Sequence, residues 1–116
     1  MLGIKKFDIE ILSEAFHFLQ DIDNKAREKL LHAIRVAQFT NDPQKFKKLV
    51  GTEIWEFRAK YNNVQYRMLS FWDHSENTLV IATHGFIKKR QKTPTEEIRK
   101  AERIRNQYFK EKGKRL

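Results

Sequence analysis

The sequence contains no cysteine, which excludes a disulfide framework, a thiolate zinc site and a cysteine nucleophile, and fits a reducing compartment. With two prolines and four glycines it is poor in linker and low-complexity composition. No apolar run approaches the roughly 20 residues that a bilayer span requires. The stretch Met1 to Asp8 lacks the apolar segment and small-residue cleavage site of a secretory signal. A cytoplasmic protein with no membrane partner is therefore expected. What is present suffices for one core: 116 residues, 40% hydrophobic and 12% aromatic, predict a single domain over residues 1–116.

The net charge of +9 is unevenly placed. Residues 86–116 carry 12 basic and 4 acidic side chains, whereas residues 1–85 carry 12 and 11. Solvated lysines on a helix account for some such excess, but a polyanion partner, nucleic acid or acidic protein, accounts for it as well.

Alternation of Phe7, Ile9 and Ile11 with Asp8 and Glu10 predicts a strand over Phe7–Leu12. Helical spacing follows over Ser13–Leu19, and again from Asp23, a plausible N-cap, to near Thr40. After the turn Asn41-Asp42-Pro43 and a short segment Gln44–Lys48 come three strand-like runs: Thr52–Tyr61, Val64–Asp73 and Asn77–Phe86, read as an antiparallel meander. Thr93 and Glu96 form a capping box with Pro94 in the first helical position, predicting a helix from Pro94 to about Phe109 and a frayed tail over 110–116. The class is α+β.

Asn62-Asn63 suits a two-residue type I′ turn, because asparagine tolerates positive φ at both central positions. That turn places Trp55, Phe57, Ala59 and Tyr61 with Val64, Tyr66, Met68 and Ser70 on one aromatic face, packed on the helices. The other face, expected to be open, sets Arg58 directly opposite Arg67 and Lys60 opposite Gln65. Opposed like charges are unfavourable. Either Glu56, diagonal to Arg67, neutralises both in an ion network, or a bound phosphate does. An even loop in the second hairpin pairs Trp72 with Leu79, Leu69 with Ala82 and Arg67 with His84; an odd loop would turn His84 into the core.

The candidate site thus has a polar end (Glu56, Arg58, Arg67, His84) and an apolar end (Ile54, Leu69, Phe71, Val80). It continues into Phe86-Ile87-Lys88-Lys89-Arg90-Gln91-Lys92 and a helix N-terminus that offers free N–H donors. Cleavage of a phosphodiester by a ribose 2′-OH needs charge stabilisation, which arginine and lysine supply, and proton transfer, open to His84, Glu56 or a lysine of lowered pKa. No metal or other cofactor is called for, since the histidines are scattered and no carboxylates cluster at ligand spacing. Phe86 or Phe71 could stack on a base, or serve the core instead.

The set Trp55-Glu56-Phe57-Arg58, Tyr66-Arg67-Met68-Leu69-Ser70-Phe71, His84-Gly85-Phe86-Ile87-Lys88-Lys89 and Lys92-Thr93-Pro94, in that order, resembles the HigB-like, phage-derived branch of the RelE/ParE toxin superfamily. The resemblance implies two N-terminal helices on a twisted antiparallel sheet with a C-terminal helix. It implies the toxin of a type II toxin–antitoxin system, a metal-independent endoribonuclease that enters the ribosomal A site and cuts translated mRNA. Carried over by position, Arg67 is the principal phosphate-stabilising residue, with Lys88, Lys89 and Lys92 as the basic group and Arg58 and His84 as supporting candidates. With His84 and Glu56 for proton transfer, Arg67, Lys88, Lys89 and Lys92 make up the catalytic set. Arg58, Lys60, Arg90 and Phe86 are assigned to RNA binding. Where some members of the superfamily have a tyrosine near the C-terminal end, this chain has Lys92-Thr93-Pro94. The expected partner is a HigA-like antitoxin of helix-turn-helix type, through which alone operator DNA would be bound. The alternatives are a ParE-like inhibitor of DNA gyrase and a plain basic nucleic-acid-binding module.

Overall fold

The computed structural model describes residues 3–114. Along the chain run strand β1 (Asp8–Ile11), helices α1 (Ser13–Asp21) and α2 (Asn24–Phe39), strands β2 (Phe46–Lys48), β3 (Trp55–Tyr61), β4 (Val64–Asp73) and β5 (Leu79–Lys88), and helix α3 (Thr95–Lys114). The five strands form one sheet in the order β1-β5-β4-β3-β2. β3, β4 and β5 form the expected antiparallel meander; the segment Gln44–Lys48 supplies a further strand, β2, antiparallel to β3, and β1 lies parallel to β5, a pairing that the long intervening chain permits. Asp23 caps α2 by accepting hydrogen bonds from the Lys25 and Ala26 backbone N–H groups.

Asn62 and Asn63 both adopt positive φ, 52° and 63°, and the β3–β4 register is the one that the turn dictates, with Arg58 opposite Arg67. One face of the sheet carries Phe57, Ala59, Tyr66 and Met68 against Ala15 and Leu19 of α1 and Ala26, Leu30, Ile34 and Ala37 of α2, forming the larger core. Gly85 lies where α1 comes closest to the sheet: a Cβ there would stand 2.1 Å from the Phe18 ring.

The second hairpin departs from expectation. Asp73 pairs with Leu79 and Trp72 with Val80, one residue out of the even-loop register, because the connection is a short 3-10 helix (His74–Glu76) followed by Asn77 and Thr78 at positive φ. The slip is then compounded by an irregularity between Leu69 and Ser70, after which Leu69 pairs with His84 and Arg67 with Phe86. Two successive one-residue shifts cancel in side-chain parity, so His84 returns to the face of Arg67 while Val80 does not. Val80 belongs to the larger core, and Ile81 takes the place expected for it.

The face expected to be open is covered at its apolar end. Ile54, Leu69, Phe71, Ile81 and Phe86 form a second core with Ala101 of α3, supported by Ile98, Tyr108 and Phe109. A helix with an apolar stripe is stable where the stripe is buried, and this one finds its apolar counterpart on the sheet. Consequently α3 does not fray at Phe109 but continues to Lys114, with Lys112 and Tyr108 both hydrogen-bonded to Asp73. The last two residues of the predicted tail, 115–116, lie outside the described residues. Thr93 does not act as expected either: the helix begins with Glu97 and Ile98 N–H groups on the Pro94 carbonyl, and the Thr93 hydroxyl is directed to Glu56.

Candidate phosphate-binding site

Beyond the reach of α3, toward the Asn62-Asn63 turn, the second face is polar. Glu56, only 2% exposed, is its anchor. Its Oε1 lies 3.5 Å from Arg58 Nε and 3.4 Å from Arg67 Nε, and its Oε2 accepts the Thr93 hydroxyl. One carboxylate therefore holds two cross-strand guanidinium groups apart from direct repulsion, which is the ion-network solution.

The two arginines are not equivalent. Arg67 is 5% exposed and its terminal nitrogens are engaged within the sheet, Nη1 donating to Tyr66 O at 3.0 Å and Nη2 to Gln65 Oε1 at 2.5 Å. Its expected position on open ground is thus corrected: it lies beneath the surface as a fixed charge. Burial pulls its pKa down, with Glu56 opposing and Arg58 adding to the shift, yet a guanidinium stays protonated. Arg58 is half-buried; its Nη1 donates one long hydrogen bond to Pro43 O at 3.5 Å, and its Nη2 has no hydrogen-bond partner among the described residues.

Lys88, opposite Gln65 on the same face, completes the cluster. Burial lowers its pKa, and the positive charges of Arg67 and Arg58 lower it further against the opposing pull of Glu56. Arg58, Gln65 and Lys88 line a recess of about 760 Å³ together with the exposed Lys89 and Arg90. An adjoining recess of about 330 Å³ is formed by Lys45, Arg58, Lys60, Gln65 and Arg67. Of the predicted residues, the fold therefore brings Arg58, Lys60, Arg67, Lys88, Lys89 and Arg90 to two linked hollows. Lys92 is exposed but lines neither.

His84 and Phe86 belong elsewhere. Phe86 is packed in the second core, where its ring meets that of His84 at 6.2 Å. His84 is 3% exposed beneath the first turn of α3, with Nε2 3.1 Å from Glu97 Oε1 and Nδ1 3.1 Å from Thr83 Oγ1. Burial lowers its pKa despite the Glu97 carboxylate, so the neutral ring bridges strand and helix. It shares a face with Arg67 without joining the arginine cluster.

Sequence reading missed Gln65, which links Arg67 to both recesses, although the predicted register already set it opposite Lys60. It also missed Lys45 and the role of Thr93, for which there is no local signal, since each depends on a segment distant in sequence reaching β3. Among the described residues no three His, Cys, Asp or Glu side chains converge as a metal site would need.

A five-stranded sheet with paired helices on one face and a C-terminal helix on the other is an arrangement shared with a solved bacterial toxin structure. Superposition on a double arginine-to-alanine mutant of Escherichia coli RelE in the free state gives a TM-score of 0.63 at 14% identity, covering 85% of this chain and 97% of that one. The RelBE2 toxin–antitoxin complex of Mycobacterium tuberculosis is also similar, at 18% identity and a TM-score of 0.44, covering 79% and 100%. Residues 17–106 match the family described as Phage derived protein Gp49-like (DUF891), and the chain belongs to it. The phage-derived family and the RelE-like fold that the resemblance implied are both found, the first in the family match and the second in the superposition. No curated protein matches the sequence.

Proposed function

We propose that the protein is the toxin of a type II toxin–antitoxin system, of the HigB-like branch, and that it cleaves translated mRNA on the ribosome by 2′-OH attack. The observation that carries this reading is the surplus of cations around one carboxylate: Glu56 offsets one charge among Arg58, Arg67 and Lys88, and Lys89, Arg90, Lys45 and Lys60 border the same hollows. A surplus of this kind in a partly desolvated recess suits a phosphodiester whose charge increases in the transition state.

In this proposal Arg58 and Lys88 touch the phosphate, Lys89 and Arg90 hold the strand, and Arg67 is a positioning charge from below. Proton transfer falls to Lys88, whose amine is shifted toward the neutral form. The burial of Glu56 and His84 favours structural duties for both. A cognate antitoxin, HigA-like and DNA-binding, would restrain the toxin by covering the cationic hollows, and operator DNA would be reached through that complex.

Primer extension on ribosome-bound mRNA tests the reading. The wild type is expected to cut within the translated frame, and Lys88→Ala and Arg58→Ala to lose most of that cutting. Intact message together with blocked DNA supercoiling would instead assign the fold to gyrase inhibition.

A further inference from the structure

At the opposite end of β3 and β4 from the Asn62-Asn63 turn lies a recess of about 250 Å³ lined by Lys48, Glu53, Trp55, Trp72, His74 and Arg105. None of these groups takes part in the phosphate site. Trp55 and Trp72 meet edge to face, with centroids 6.1 Å apart, and the His74 ring lies parallel to Trp72 at 5.8 Å with an interplanar angle of 3°. His74 is exposed and both indoles are half-buried where they line the recess. Phe46 backs Trp55 at 4.8 Å and ties this wall to the larger core, which keeps it rigid. The Trp72 indole N–H and Arg105 Nε, both buried, have no hydrogen-bond partner among the described residues.

The two sites are joined by β2, an edge strand. Lys45 lines the hollow of Arg58 and Arg67, Lys48 lines the aromatic recess, and the exposed Lys47 stands between them opposite Glu56. At about 3.3 Å per residue Lys45 and Lys48 are on the order of 10 Å apart along this edge, which an extended single strand would round to pass from one face of the sheet to the other. Cations along the way and a flat aromatic surface at the end match the two parts of a nucleotide chain, anionic backbone and stacking base. Glu53, 4.0 Å from Lys48, is the one acidic side chain lining the recess.

We propose that the Trp55–Trp72–His74 recess is a base-stacking subsite for single-stranded RNA that crosses the lysine edge of β2 from the phosphate site. The proposal rests on the nuclease reading above and extends it to a flanking nucleotide. Stacking tolerates any base.

Trp55 and Trp72 are the two tryptophans of the chain, so intrinsic fluorescence reports directly on the recess. Titration of the purified protein with short 2′-O-methyl oligoribonucleotides, which 2′-OH attack cannot cleave, is expected to give saturable quenching. His74→Ala, an exposed change, should weaken binding on the order of tenfold. Lys47→Ala with Lys48→Ala should flatten its salt dependence by about one unit of slope. If the wild type cuts ribosome-bound mRNA yet the oligonucleotides leave fluorescence unchanged, or if His74→Ala binds and quenches as the wild type does, the subsite is overturned and the nuclease reading stands. Quenching without cleavage keeps the subsite and removes the enzyme. Absence of both removes the two together. Quenching by an acidic peptide but not by RNA would give the surface to a protein partner and overturn the proposal.

Discussion

Arg58 and Arg67 face each other across β3 and β4 and share a single oxygen of Glu56, at 3.5 and 3.4 Å from their Nε atoms. The shared carboxylate makes the pair tolerable, and the difference in burial between the two side chains gives them different consequences when removed.

Arg67→Ala should destabilise the fold, because it deletes a buried ion pair and frees the Tyr66 and Ala59 carbonyls and Gln65 from their donor. The expected cost is about 3 kcal/mol, at the low end for such losses since Glu56 keeps Arg58 and Thr93. Arg58→Ala, at a side chain 30% exposed, should shift stability by about 1 kcal/mol or less while removing most cleavage. Urea unfolding of the two variants, run beside primer extension, separates the roles; equal unfolding midpoints would contradict this account.

Lys88→Arg keeps the positive charge but takes away a group that can release its proton within the working pH range. The variant should still bind RNA, yet cut on the order of 100-fold more slowly than the wild type. In the wild type the rate should rise with pH on a limb lying below the ordinary lysine range of 10.5, the direction that burial and the neighbouring arginines impose. A pH–rate profile for wild type and variant checks it, and retention of the limb in Lys88→Arg would point to another proton acceptor.

Stability should depend on pH through the buried Asp73 and its partners. Burial raises the Asp73 pKa, but hydrogen bonds from Lys112, Ser75 and Tyr108 outweigh it and hold the carboxyl far below its usual 3.8. The stabilisation is therefore complete above about pH 5 and is lost as pH falls through the folded-state value. Tyr108 has the opposite sign: burial and Asp73 push its pKa up to about 12 from 10.0, so its contribution is intact below pH 10 and lost as pH rises toward 12. Thermal melts across pH should show both limbs. Tyr108→Phe should abolish the alkaline one and cost about 1 kcal/mol at neutral pH.

Gly85→Ala should destabilise without touching the site. The added Cβ meets Phe18 Cδ2 at 2.1 Å, and the ring is packed against the larger core, so about 1–3 kcal/mol is expected. Phe18→Leu in the same chain should recover part of the loss. A melting temperature unchanged by Gly85→Ala would mean that α1 shifts freely on the sheet.

What the sequence determined by itself is local. Two adjacent asparagines tolerate positive φ, and that fixes the register of β3 and β4 and the opposition of Arg58 and Arg67. Asp23 marks the start of α2, and helical spacing marks the apolar side of α3. The family motifs, read in order, led to a phage-derived family and a RelE-like fold, and the family match and the superposition bear these out. Each of these depends on residues within a few positions of one another or on a fixed repeat.

The tertiary structure decided which side of that register is open. The five-residue connection after Asp73 and the irregularity at Leu69/Ser70 shift β5 twice, a matter of loop geometry that composition does not encode. Burial of the α3 stripe closes the apolar half of the second face, sends the Thr93 hydroxyl to Glu56 and places His84 under Glu97. Only the arrival of β2 brings Lys45 and Lys48 alongside the two hollows. These outcomes turn on contacts between segments tens of residues apart, where the burial of apolar area outweighs any local preference.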